Sequence, residues 1–249
     1  MCNYIGVKVS LQKYIKLKAL EKEIGVIATL KTIQSGFEYS DWAIIKANDN
    51  RTDLHIELAH WELIPTWIKT ATALHQARKQ GIPWLNATAE KLLTSSMFVA
   101  SATARRCLIP ITHFFEWRHH RHIGGINKVT YPYCISGIAG QWLYLAGIYQ
   151  PYIQQSTGLQ KNSFAIITTQ ANQLMAQIHN TKKRMPTILP ENEAYSWIMD
   201  DLSAQQIAEI ASFQIPSNML TAHTVSKNCR TEIDPTAYYE YENLPSLIL

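Results

Sequence analysis

A cysteine at position 2 is a residue whose chemistry depends on its place in the chain. If Met1 is removed, Cys2 presents a free α-amine and a thiol on adjacent carbons. The amine has a reference pKa of about 7.7–8.0 and the thiol one of about 8.5, so both nucleophiles are within reach near neutral pH. Such a 1,2-aminothiol condenses with an aldehyde: the amine forms a Schiff base, and the thiolate then closes a five-membered thiazolidine. Neither a serine nor an internal cysteine can do this. The other cysteines, Cys107, Cys134 and Cys229, show no CxxC spacing and no Cys/His cluster at zinc-ligand spacing. Cys107 (in RCLIP) and Cys134 (in YPYCIS) read as small buried hydrophobes on strands, and Cys229 has no assigned place. This usage fits a reducing compartment.

Four segments supply partners for Cys2. WELIPTW (Trp61–Trp67) ends a strand with a proline turn between two tryptophans. WLNATAE (Trp84–Glu90) places Asn86 before an expected helix. RRCLIPITHFFEW (Arg105–Trp117) sets one carboxylate, Glu116, in an aromatic strand. AIITTQANQLMAQIHNTKKRMPTIL (Ala165–Leu189) runs from strand to helix to His179 and a basic turn. Each has a plain structural alternative. The tryptophans pack a core, Asn86 caps a helix, Glu116 is ion-paired or solvated, His179 answers a helix dipole, and Lys182-Lys183-Arg184 is a solvated turn.

The elements that must position these groups follow from hydrophobic periodicity. Residues 10–24, with Leu11, Tyr14, Ile15, Leu17, Leu20 and Ile24, have helical spacing, and so do residues 87–96. Strands are predicted at Trp42–Lys46, Leu54–His60, Arg106–Ile109, Phe114–Trp117, Tyr131–Ser136, Trp142–Tyr149 and Phe164–Thr168. Pro110 separates the third and fourth, and Gly124-Gly125 lies in the gap after the fourth. A helix follows at Gln170–Ile178, then two more near 191–200 and 203–211, the last with Ser203 and Gln206 as a capping box. The reading is an α+β protein: one domain, 1–249, with a mainly antiparallel, barrel-like sheet and flanking helices. With 47% hydrophobic and 17% charged residues the chain can bury a sizeable core. Its net charge of +4 is compatible with a phosphate-bearing partner without requiring one. There is no signal-peptide pattern and no apolar run of membrane-spanning length, so a cytoplasmic protein is expected. GxGxxG, GxxxxGK[ST] and GxSxG motifs are absent, and no metal or organic cofactor site is read.

In combination and order, these segments resemble the SOS-response-associated peptidase (SRAP) family from Met1-Cys2 to about Val225-Ser226. The resemblance implies a self-processing protein that sheds Met1 and crosslinks Cys2 to the ring-opened aldehyde of an abasic site in single-stranded DNA, shielding the lesion. It implies a monomer, associated with the nucleoid at damage, with Cys2, Asn86, Glu116 and His179 as the reacting group and its helpers. A buried Glu116 should hold its proton to a higher pH, which suits proton transfer. His179 could open the sugar ring or assist reversal. Where the family has Cys-Gly-Arg, this chain has Cys2-Asn3-Tyr4. Family basic positions are Thr88 and Ser96 here, and EYSDWAII (Glu38–Ile45) replaces an Asn-x-x-Pro motif. Substitute phosphate contacts are Lys91, Arg105, Arg106, Lys182, Lys183 and Arg184, with the loop Arg118–Lys128 read as a solvated hairpin tip. Trp61, Trp67 or Trp84 could stack on unpaired bases. The alternatives are a cysteine peptidase acting on other proteins, a single-stranded-DNA-binding module without crosslinking, or a plain structural domain.

Overall fold

The computed structural model describes residues 2–8, 14–25, 30–81, 83–121, 128–153 and 157–248. In chain order these form β1 (Tyr4–Gly6), β2 (Tyr14–Leu17), β3 (Leu20–Glu23), β4 (Gln34–Ser35), β5 (Asp41–Ala47), β6 (Leu54–Trp61), α1 (Ala71–Lys79), β7 (Asn86–Thr88), α2 (Val99–Ala104) and β8 (Arg106–Ile111). There follow β9 (His113–His120), β10 (Val129–Gly137), β11 (Leu143–Ile153), β12 (Gln160–Gln170), α3 (Gln173–Ile178), β13 (Arg184–Pro186), β14 (Ile188–Leu189), α4 (Glu191–Met199), α5 (Ala204–Ala211) and β15 (Leu220–Thr224), joined in places by short 3₁₀ turns.

The pairing order β12-β6-β5-β8-β11 returns to β12, so five strands close a barrel. An odd ring cannot alternate direction all the way round. One neighbouring pair must therefore be parallel, and it is β12–β6, paired at Ser163↔His60 and Phe164↔Trp61. Closure removes free sheet edges, and in a ring this small side chains fill the interior. The composition of the strands answers that demand: every residue of β8 is buried, as are residues 163–169 of β12. Trp42, Trp61, Phe164 and Trp197 are fully buried in this core. Pro110, expected to break the run after Ile109, lies inside β8 opposite Tyr144, and its carbonyl accepts from Trp42 Nε1 at 3.2 Å.

A second sheet, β15-β10-β9-β1-β4, leans on the barrel. The chain passes from one to the other at Thr112, between β8 and β9, where the Thr112 amide donates to Gly6 O at 3.0 Å and so ties β1 to the junction. The five α-helices found among the described residues pack around these two sheets, and none is long and apolar enough to cross a membrane. The sequence expectation of an α+β, mainly antiparallel barrel with flanking helices matches this architecture.

Two local expectations are overturned. Residues 14–23 are a hairpin, β2–β3, in place of a helix. The burial of Ile15 and Leu17 with Tyr14 and Lys16 exposed is a period of two, the strand period, which also satisfied part of a helical spacing. Residues 10–13 of that expected helix lie outside the described residues, as does Gly124-Gly125. Residues 86–91 are likewise a strand and a 3₁₀ turn, because β7 adds in parallel to β12 (Ile166↔Asn86, Thr168↔Thr88). The capping box at Ser203 is present as expected: its hydroxyl accepts from the Gln206 amide, and the Gln206 side chain accepts from the Ser203 amide at 2.9 Å.

Candidate active site

The junction of barrel and second sheet gathers residues that lie far apart in sequence. Cys2 leads into β1, which pairs with β9 at Ile5↔Phe114 and Gly6↔His113. Two residues further along β9 stands Glu116, 7% exposed. His179 closes α3, which is capped at its start by Asn172, whose Oδ1 accepts from the Met175 amide at 2.8 Å. His179 Nδ1 lies 3.9 Å from Glu116 Oε2. It also lies 2.8 Å from the carbonyl oxygen of Arg184 and accepts from the Arg184 amide at 3.2 Å in the alternative tautomer, so the Arg184 backbone brackets this nitrogen. Asn86, opening β7, donates from Nδ2 to Asn3 Oδ1 at 3.0 Å, which ties the barrel side of the junction to the segment next to Cys2. The Asn86 Oδ1 atom is buried and has no hydrogen-bond partner among the described residues.

Electrostatics follow from this burial. Cys2 is 0% exposed. Burial raises its thiol pKa well above the ordinary range, the Glu116 carboxylate raises it further, and the backbone amide of Tyr4 works in the opposite direction. Burial lowers the His179 pKa, and the Glu116 carboxylate partly offsets this, so the ring is neutral near pH 7. The site therefore holds a protonated thiol and a neutral imidazole on either side of Glu116.

Cys2 and its three expected helpers thus meet at one junction, although Asn86 sits on a strand and not at a helix start. The expected DNA contacts separate. Trp67 is 57% exposed, and Lys91, Lys182 and Lys183 are exposed. Arg105 is half-buried, with Nη2 donating to Ser101 Oγ at 3.3 Å. Three others are withdrawn from that surface. Trp61 is fully buried, stacked on Phe164 with ring centroids 6.1 Å apart, and its Nε1 donates to Leu85 O. Arg106 is 5% exposed and spends its guanidinium on the carbonyls of Trp197 (2.6 Å), Asp200 (2.7 Å) and Thr103 (2.8 Å). Burial lowers its pKa to about 10. Arg184 is paired with Glu90 at 3.0 Å and bonded to Thr168 O, joining β13 to the turn after β7. The three share a cause: a strand-borne arginine or tryptophan beside a closed barrel is used by the barrel first.

Tyr4 and Arg230 were not anticipated as a pair. The Tyr4 ring lies 4.7 Å from that of Trp117, and Arg230 Nη1 donates to the Tyr4 hydroxyl at 3.2 Å. No spacing in the sequence links positions 4 and 230. Cys229 is buried with Phe115, Cys134 and Val225 in a small cluster under this face, and Cys107 and Cys134 are buried strand residues as expected. Among the described residues no group of three His, Cys, Asp or Glu could hold a metal ion.

Fold and site together define an α+β barrel protein with a cysteine-centred site between its two sheets. The family model described as SOS response associated peptidase (SRAP) matches residues 18–231, and the chain belongs to that family. An abasic site processing protein of Bacillus subtilis strain 168, YoqW, is 31% identical over 138 residues, 55% of this chain and 54% of that protein. The chain therefore spans about half the length of this relative, at the 54% just given. The abasic site processing protein YedK of Escherichia coli K12 is 26% identical over 185 residues, covering 74% of this chain and 73% of that one. A crystal structure of a protein from Bacteroides thetaiotaomicron superposes with a TM-score of 0.70 at 30% identity, covering 83% of this chain and 82% of the other.

Proposed function

We propose that this protein processes abasic sites in single-stranded DNA by forming a covalent crosslink through Cys2. The observation that carries the reading is the meeting of Cys2, Glu116 and His179 at the sheet junction, with His179 Nδ1 3.9 Å from Glu116 Oε2. The relatives named above as abasic site processing proteins support it.

Each chemical step balances. Hydrolysis of the Met1–Cys2 amide consumes one water and releases Met1, leaving the Cys2 α-amine. That amine attacks the open-chain aldehyde of the abasic sugar, a C=N bond forms, and one water leaves. The Cys2 thiol then adds across C=N: a C–S bond forms, the nitrogen takes a proton, and a thiazolidine closes. Glu116, beside Cys2 and His179, moves protons during Met1 release and carbinolamine dehydration. His179, neutral at rest, takes up a proton and passes it to the sugar ring oxygen as the ring opens, and Asn86 holds the amine or sugar through its amide. The exposed cations Lys91, Lys182 and Lys183 follow the phosphate backbone and Trp67 offers a ring to an unpaired base.

The test is a denaturing gel of the protein incubated with an abasic-site oligonucleotide. Wild type is expected to give a slow-migrating covalent species that Cys2→Ala does not form. Crosslinking by Cys2→Ala at the wild-type rate ends the proposal. Cleavage of unrelated proteins without any DNA adduct would favour the peptidase alternative.

A further inference from the structure

The second sheet leaves one edge short. β10 covers one side of β9 along its whole length, from His113 to His120. On the other side β1 pairs with β9 only at His113 and Phe114. Beyond that point the backbone groups of β9 that face away from β10 need partners, because an unpaired strand edge exposes strong donors and acceptors. At His119 both are taken by one side chain. Asn180 Oδ1 accepts from the His119 amide at 3.0 Å, and Asn180 Nδ2 donates to the His119 carbonyl at 2.7 Å. A carboxamide has the donor and acceptor of a peptide group, so here it pairs with the strand as a single residue of a neighbouring strand would.

Asn180 directly follows His179, and His119 lies three residues beyond Glu116 on β9. We propose that Asn180 is a positioning residue for the site: by closing the edge of β9 it fixes the turn that carries His179 against the strand that carries Glu116. From the other side the imidazole is held by the Arg184 backbone, whose carbonyl lies 2.8 Å from Nδ1, and the Lys183 amide donates to the His179 carbonyl at 2.8 Å. The ring is thus gripped between two backbone segments, and the Asn180 grip ties its turn to the β9 backbone. Glu116 from β9 and Lys182 from the turn itself are the ionisable side chains that act on it. The inference deepens the proposed function, on which its activity arm rests. Its second arm needs no DNA.

The experiment compares wild type, Asn180→Ala and Asn180→Asp in two measurements. One is the rate of crosslink formation with an abasic-site oligonucleotide, and the other is the titration of the His179 imidazole by NMR. Asn180→Ala deletes both hydrogen bonds. Displacing a reacting group by about 1 Å costs as much as a hundredfold, so a rate loss of about tenfold or more is expected for a loosened turn. The imidazole should titrate at higher pH than in wild type, because burial is what holds it down. Asn180→Asp keeps the acceptor, loses the donor and should fall between. An Asn180→Ala protein whose His179 titrates as in wild type overturns the proposal. If the wild-type protein forms no crosslink at all, the functional reading fails, while the imidazole titration still decides the role of Asn180.

Discussion

Gly6→Ala perturbs the strand that delivers Cys2. A Cβ built at Gly6 would lie 1.9 Å from the Thr32 carbonyl oxygen and 2.3 Å from His113 Nε2. Those two atoms are themselves hydrogen-bonded at 2.7 Å, so β1 crosses over an existing contact and only a hydrogen fits between. Restoring an ordinary 3.4 Å contact requires β1 and the Thr32 segment to separate by about 1.5 Å (3.4 − 1.9). Overpacking of this kind costs about 1–3 kcal/mol. Loosening the Thr112-to-Gly6 hydrogen bond adds about 1 kcal/mol. A loss of roughly 3 kcal/mol corresponds, at about 2–4 °C per kcal/mol for a chain of this size, to a Tm lower by about 10 °C. Because Cys2 stands four residues before Gly6, the same displacement should slow crosslinking by about a hundredfold. Urea unfolding with an unchanged slope, together with the gel assay, measures both. Gly25→Ala, where an added Cβ meets nothing within 4 Å, is the control and should shift stability by less than about 0.5 kcal/mol. A Gly6→Ala protein within about 1 kcal/mol of wild type and equally active would refute the account of how β1 places Cys2.

Other perturbations follow from the same packing. Glu62 is 0% exposed, and Arg78 donates to its Oε2 through Nε at 2.9 Å and through Nη2, so Arg78→Ala strands a buried carboxylate. This should cost about 3 kcal/mol in urea unfolding, largely recovered in the Glu62→Leu/Arg78→Leu double variant, since an apolar pair avoids the desolvation penalty. His113 is pushed down to about 4 by burial, against the pull of its Thr32 acceptor. With an unfolded value of about 6.5, its contribution to stability is complete above that pH and is lost as pH falls toward the folded value. Unfolding free energy should therefore drop by about 2 kcal/mol from this group between pH 6.5 and 4.5, and His113→Gln should flatten that limb. Lys182→Ala/Lys183→Ala should leave Tm unchanged but reduce the salt dependence of single-stranded DNA binding by about 0.7 for each phosphate no longer neutralised, and an unchanged slope would remove these lysines from the interface.

How far the sequence reveals this depends on whether a signal is local. β5, β8 and β12 were legible because each holds a run of apolar residues, and β6 because Leu54, Ile56 and Leu58 alternate with polar residues. The capping box of α5 was legible because both partners lie within one turn. α1 escaped notice because it buries none of its residues and so has no core-facing stripe to count. The 14–23 hairpin was misread because Ile15 and Leu17 satisfy either period once Leu20 and Ile24 are added. At the site, Cys2, Glu116 and His179 stood out by residue type and motif. Their helpers are long-range: Asn180 reaches His119, Asn3 reaches Asn86, and Arg230 reaches Tyr4. The same blindness to packing put Trp61 and Arg106 on the DNA surface, although the barrel buries both.

The central claim is that Cys2 becomes the chain's terminal residue and reacts there. Intact mass of the purified protein, alone and after incubation with an abasic single-stranded oligonucleotide, tests it directly. The account predicts a free protein lacking Met1 and an adduct equal to protein plus oligonucleotide minus one water, with neither the adduct nor any shifted species in Cys2→Ala. A protein that retains Met1 yet forms the adduct, or an adduct that persists in Cys2→Ala, would contradict it.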